Sequence, residues 1–143
     1  MQVDFHLISI DVPGYVRRLV AKAVRQTPSL CITGEEQQLR SLSRTLWQTA
    51  PVEFLAHATD WDGPEVQDLS SVRLCQDARS VPVRDVLINV GGDDVEAYLH
   101  HRRIIEIIDA SQPAQIQQAR VRWRQYQAQG CQLQRHTQAP KNL

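Results

Sequence analysis

The residues of this chain best suited to chemistry are a pair of carboxylates behind two glycines and a set of arginines around a tryptophan. Gly91-Gly92-Asp93-Asp94 follows the apolar run Val86–Val90. The carboxyl end of a strand is where α/β sheets bind ligands. These acids and the Gly91-Gly92 turn could serve a nucleotide- or metal-dependent hydrolase, and together with Asp60 and Asp62 they could supply a general acid–base pair. The same four residues would equally make a turn that caps a helix. Against nucleotide chemistry, neither GxGxxG nor GxxxxGK[ST] occurs. The turn after the first apolar run, Asp11-Val12-Pro13-Gly14, has one glycine, a proline without a backbone donor, and an aspartate that would repel a diphosphate. No serine sits in a GxSxG elbow. No cofactor and no metal are therefore expected.

The second grouping lies near the C-terminus. Ile116, Ala119, Trp123 and Tyr126 recur at i, i+3, i+7 and i+10, a stripe suited to packing on a sheet. Arg120, Arg124 and Gln127 run beside it at i, i+4 and i+7, with Trp123 on the border. Guanidinium groups flanking the exposed edge of an indole form a receptor for a ligand with carboxylates and an apolar end. The alternative is a buried indole with arginines that only keep the surface soluble, and the spacing alone leaves both open.

Other reactive types are scattered. Cys31, Cys75 and Cys131 are remote from one another in sequence and lack metal-ligand spacing; Cys31, in the run Leu30–Thr33, reads as a buried small hydrophobe. The five histidines form no HExxH or HxH pattern. Net charge is zero but unevenly placed. Residues 53–96 hold ten acids against three bases, whereas five bases (Arg120, Arg122, Arg124, Arg135, Lys141) and no acid occur from 110 onward. A one-sign segment favours an anionic partner. Single-stranded DNA is one candidate, although there is no finger, RNP or helix-turn-helix pattern.

The elements that must position these groups can be traced by period. The N-terminal MQVDFHLISIDVPG has no basic segment and no long apolar run, so neither a secretory signal nor a membrane span is expected, and a cytoplasmic location is. Residues 3–10 read as a strand, and helical spacing begins near Tyr15 with Val16, Leu19, Val20, Ala23 and Val24. Leu30–Thr33 reads as a short buried strand. Leu39, Leu42, Leu46 and Trp47 share one face of a second helix, closed by Pro51. Phe54–His57 reads as a third strand, Val72–Cys75 as a half-exposed one, and Val86–Val90 as the central one. A short helix capped by Asp93 or Asp94, a strand over Arg103–Ile108, and a helix from Pro113 to Gln129 stopped by Gly130 complete the pattern. The alternation predicts an α/β fold: a single Rossmann-like domain over residues 1–134 with a largely parallel sheet and helices on both faces. Residues 135–143 are expected to form a flexible tail.

Thr45-Leu46-Trp47, Phe54–His57, Asp85–Val90, Glu106–Asp109 and Ala119–Gly130, with the opening Phe5–Ile8, together resemble, in order and spacing, the chi subunit family of bacterial DNA polymerase III. The resemblance covers roughly residues 3–133. It implies a non-catalytic adaptor on a Rossmann-like fold. Such a protein pairs with the psi subunit, and through it the clamp loader, and grips the acidic, phenylalanine-terminated tail of single-stranded DNA-binding protein. In the family an arginine and an aromatic three residues later hold that tail; they match Arg120 and Trp123, with tryptophan where tyrosine is usual. Trp47 matches a family tryptophan expected to line the same pocket. Ile116 stands where the family has a basic residue, a charge that Arg124 is expected to replace in part.

Overall fold

The computed structural model describes residues 1–27, 29–47, 58–59, 62 and 72–138. In chain order these form β1 (Gln2–Ile8), α1 (Val12–Gln26), β2 (Leu30–Thr33), α2 (Glu36–Trp47), β3 (Ala58–Thr59), β4 (Val72–Cys75), β5 (Val86–Asn89), α3 (Val95–Tyr98), β6 (Arg103–Asp109), α4 (Pro113–Ala128) and β7 (Gln132–Thr137). The strands make one sheet in the order β3-β4-β2-β5-β6-β1-β7, and every described pairing is parallel. This is the single α/β architecture expected from the alternation of periods.

The two-residue period of the strands divides the core into two layers. Val3, Phe5, Cys31, Leu87, Ile104 and Ile108 face α3 and α4. Leu30, Ile32, Leu74, Ile88, Ile105 and Ile107 face α1 and α2, where Val16, Val20, Leu39, Leu42 and Leu46 cover them. Neighbouring residues of β6 thus belong to opposite layers, which is why its sequence is apolar almost throughout. Cys31 and Cys75 are fully buried, free, and 3.2 Å apart between their Sγ atoms.

Three expectations need adjustment. Helix α1 starts at Val12, three residues early, because Asp11 caps it by accepting from the Gly14 amide at 3.2 Å and Pro13 is tolerated in a first turn. Asp11 itself adopts a left-handed φ of 50°. Val72–Cys75 is buried along its whole length, Arg73 included, since β4 lies inside the sheet between β3 and β2. Phe54–His57 lies outside the described residues. Finally, the tail expected from Arg135 onward is strand as far as Thr137. The polar run Gln132–Thr137 conceals this strand from a hydrophobicity reading. It forms because β1 has a free edge whose backbone groups need partners: Gln132 N donates to Met1 O at 2.8 Å, and Gln138 N to Leu7 O at 3.1 Å.

Candidate functional site

Helix α4 is fixed at both ends. Pro113 occupies its first turn, and Gly130, at φ 77°, reverses the chain beyond it. Cys131 N donates to Tyr126 O at 3.2 Å and Gly130 N to Gln127 O at 3.1 Å, the paired bonds of a Schellman stop. That stop sends the chain into β7 beside β1.

At about 100° per residue, Ile116, Arg120 and Trp123 fall on the flank of α4 that looks toward β7. They line a cleft of about 270 Å³. Its floor is Phe5, Leu7 and Ile108, Ala119 forms part of the α4 wall, and Arg135 of β7 stands on the other side. Trp123 is partly buried, with its ring edge-to-face on Phe5 at 5.1 Å between centroids; Phe5 also meets Tyr126 at 5.8 Å. The cleft therefore has an aromatic end and a wall of apolar residues under two cations. Among the described residues, neither Arg120 nor Arg135 forms an ion pair or a side-chain hydrogen bond.

The other residues singled out by spacing lie differently. Arg124 is exposed and does not line the cleft. Trp47 ends α2, and α2 covers the opposite face of the sheet from α4; the Trp47 side chain lies outside the described residues. The pocket geometry around Arg120 is thus built by α4, β1, β6 and β7.

The other flank of α4 is occupied by a polar network that spacing did not suggest. Glu106 of β6 is fully buried. Its Oε1 accepts from Arg122 Nε at 3.1 Å and from Asn89 Nδ2 at 2.8 Å, and its Oε2 accepts from the Tyr126 hydroxyl at 2.6 Å. Arg122 also reaches Asp93 at 2.7 Å. Burial pushes the Glu106 carboxyl above the usual range despite the guanidinium beside it. Two signals pointed here in sequence: a lone carboxylate inside Ile104–Ile108, and Asn89 as the single polar residue of the central strand.

The two acids behind the glycines are likewise held by arginines, and Asp60 lies outside the described residues. Asp93 pairs with Arg122, while Asp94 pairs with Arg79 at 2.8 Å and caps α3 through the Ala97 amide at 3.3 Å. The glycines before them serve close packing. A Cβ on Gly92 would run into the hydroxyl of buried Tyr98, and one on Gly91 would displace the Gln38 amide. Gln38 itself occupies the approach to this turn, accepting from the Glu35 amide at 2.9 Å and donating to Val90 O at 3.2 Å. Of the backbone donors near this turn, Glu35 N is thus bonded to Gln38, and Gly91 N donates to Asn89 Oδ1 at 3.1 Å. Among the described residues, no group of three or more His, Cys, Asp or Glu is placed to hold a metal ion. No described helix is long and apolar enough to cross a membrane.

A second polar cluster sits on the α1 face at the sheet's edge. Asp4 is buried, with Arg103 at 2.7 Å and His136 at 3.4 Å. Burial would raise its carboxyl, but hydrogen bonds from Arg103, Gln2 and His136 outweigh that and hold it below the usual range. His6 pairs across the strands with His136 and bonds Tyr15 through Nδ1 at 2.5 Å. Burial and the neighbouring His136 hold His6 down at about 4.

Comparison with known proteins adds one match. The family described as DNA polymerase III chi subunit, HolC, matches residues 1–134. No curated protein matches the chain.

Proposed function

From the premise that the chain belongs to the DNA polymerase III chi subunit family, we propose that it is a non-catalytic adaptor joining the psi subunit, and so the clamp loader, to the acidic C-terminal tail of single-stranded DNA-binding protein. Family membership carries the accessory role in replication. The tail-binding role rests on one observation: Arg120 and Trp123 line the same open cleft over an apolar floor.

The chemistry of such a tail suits that cleft. Its aspartates and terminal carboxylate need cations, and Arg120 offers a guanidinium not spent on any described neighbour. Its terminal phenylalanine needs a small apolar recess, which Phe5, Leu7, Ile108 and the Trp123 ring supply. A disordered tail loses entropy on docking, so affinity is modest and falls as salt screens the charges.

Calorimetric titration with a peptide holding several aspartates and ending in phenylalanine tests the reading. Arg120→Ala is expected to cost about 2 kcal/mol or more, the scale of a hot-spot arginine, with a comparable loss for Trp123→Ala. Wild-type affinity in both variants would remove the tail from this cleft. Co-purification with psi tests the other half of the bridge.

A further inference from the structure

Arg135 was expected in a flexible tail, yet it lines the cleft from the side opposite α4. We propose that Arg135 is the second cation of the binding site, so that a docked tail lies between α4 and β7 with its carboxylates bracketed by Arg120 and Arg135. The proposal rests on the tail-binding reading above and deepens it.

Strand alternation puts Arg135 where it is. In the parallel register Leu133 is level with Val3 and Arg135 with Phe5, and both β1 residues belong to the layer under α4. Gln134 and His136 point to the other face, where His136 approaches Asp4. The nearest β1 carboxylate, Asp4, is therefore on the wrong side of the sheet for Arg135 and is already paired with Arg103. No acid follows Asp109 in the sequence, so neither α4 nor β7 can neutralise Arg135.

The remaining arginines of this region cannot take its place. Arg122 is committed to Glu106 and Asp93 on the far flank of α4. Arg124 does not line the cleft. One turn before Arg120, the wall residue is Ile116. Helix α4 thus brings a single guanidinium to the cleft, and a ligand with several carboxylates would be held by one contact. Arg135 doubles the positive charge and places it across the opening, where two donors can grip one carboxylate from both sides. A charge on an edge strand can also serve merely to discourage pairing with another sheet; that role would leave peptide affinity unchanged.

The test uses the full chain and two peptides, the acidic peptide ending in phenylalanine and the same peptide amidated at its C-terminus. Arg135→Gln is expected to weaken the free-acid peptide about tenfold, to lessen its salt dependence, and to shrink the penalty for amidation. Because Ile116 lines the same opening, the double variant Arg135→Gln with Ile116→Lys should recover most of the lost affinity by returning a cation from the α4 side. If Arg135→Gln binds like wild type while Arg120→Ala does not, Arg135 is outside the site and the tail reading stands without it. Should Arg120→Ala also bind normally, the tail reading falls and this proposal with it. Unchanged melting temperatures in the variants separate lost contacts from lost fold.

Discussion

Arg122 of α4 and Glu106 of β6 meet in the interior, Nε to Oε1 at 3.1 Å, with the arginine side chain 7% exposed and the glutamate fully covered. Arg120 precedes Arg122 by two residues, about 200° around the helix. Locking Arg122 inward on one flank therefore turns Arg120 outward over the cleft on the other, with Trp123 between them against Phe5. The buried pair sets the rotation of α4, and the rotation sets the site.

Removing one partner of this pair should be severe. Arg122→Ala leaves Glu106 buried without its cation and is expected to lower stability by about 3–5 kcal/mol in urea unfolding. Replacing both, with Glu106→Leu and Arg122→Met, should cost clearly less, since no charge is then stranded. Equal losses would show that the ionic contact is not what α4 depends on.

Tyr126 tests the same network from a neutral group. Tyr126→Phe keeps the ring against Phe5 and deletes only the hydroxyl that donates to Glu106. A loss of about 1–3 kcal/mol is expected, the scale for leaving a buried acceptor short of a partner. No loss would mean that Arg122 and Asn89 satisfy Glu106 unaided.

His6 gives stability a pH dependence of known sign. Its folded value of about 4 lies below the ordinary 6.5, so between these values the unfolded chain holds a proton that the folded chain refuses. Stability from His6 is complete above pH 6.5 and is lost as pH falls toward 4. Glu106 acts oppositely: raised above 4.5, it stabilises at low pH and loses that contribution as pH rises through its folded value. Comparing wild type with His6→Gln isolates the first effect; the variant should show the smaller drop in melting temperature from pH 7 to pH 5. Parallel curves would place the pH sensitivity elsewhere.

Gly130 is the one described glycine with positive φ. Nothing lies within 4 Å of a Cβ placed there, so Gly130→Ala would fail on conformation, not on contact. The expected cost is about 1 kcal/mol, read as a lowered melting temperature. A D-alanine introduced at the same position should restore it.

The periodicities made most of the fold legible. Apolar runs such as Val86–Val90 and Arg103–Ile108 announce buried parallel strands, and the spacing of Leu39, Leu42 and Leu46 announces α2. What stayed hidden was decided by partners distant in sequence. β7 has only Leu133 as an apolar residue within it, and it is a strand because β1 offers an open edge. Arg122 looked like one of several surface cations; only the approach of β6 to α4 shows that it is spent on Glu106. The Ile116, Trp123 and Arg120 flank could be read from helical spacing, whereas its counterpart Arg135 could not, because a cleft between a helix and an edge strand leaves no local pattern. Reading Asp93 and Asp94 as a turn and cap proved closer than reading them as reactive acids, since both are held by arginines from other elements.

The sheet order has a consequence for how the chain acquires its shape. β1 lies between β6 and β7, with Gln2 level with Arg103 on one side and Gln132 on the other. A growing polypeptide emerges with β1 ahead of both neighbours, so that strand waits, unpaired, until almost everything after it has been made. Contacts that must close over such a span form slowly. Nascent chains of this protein are therefore expected to expose Val3, Phe5, Leu7 and Ile8 for most of their synthesis, a target for a ribosome-bound holdase.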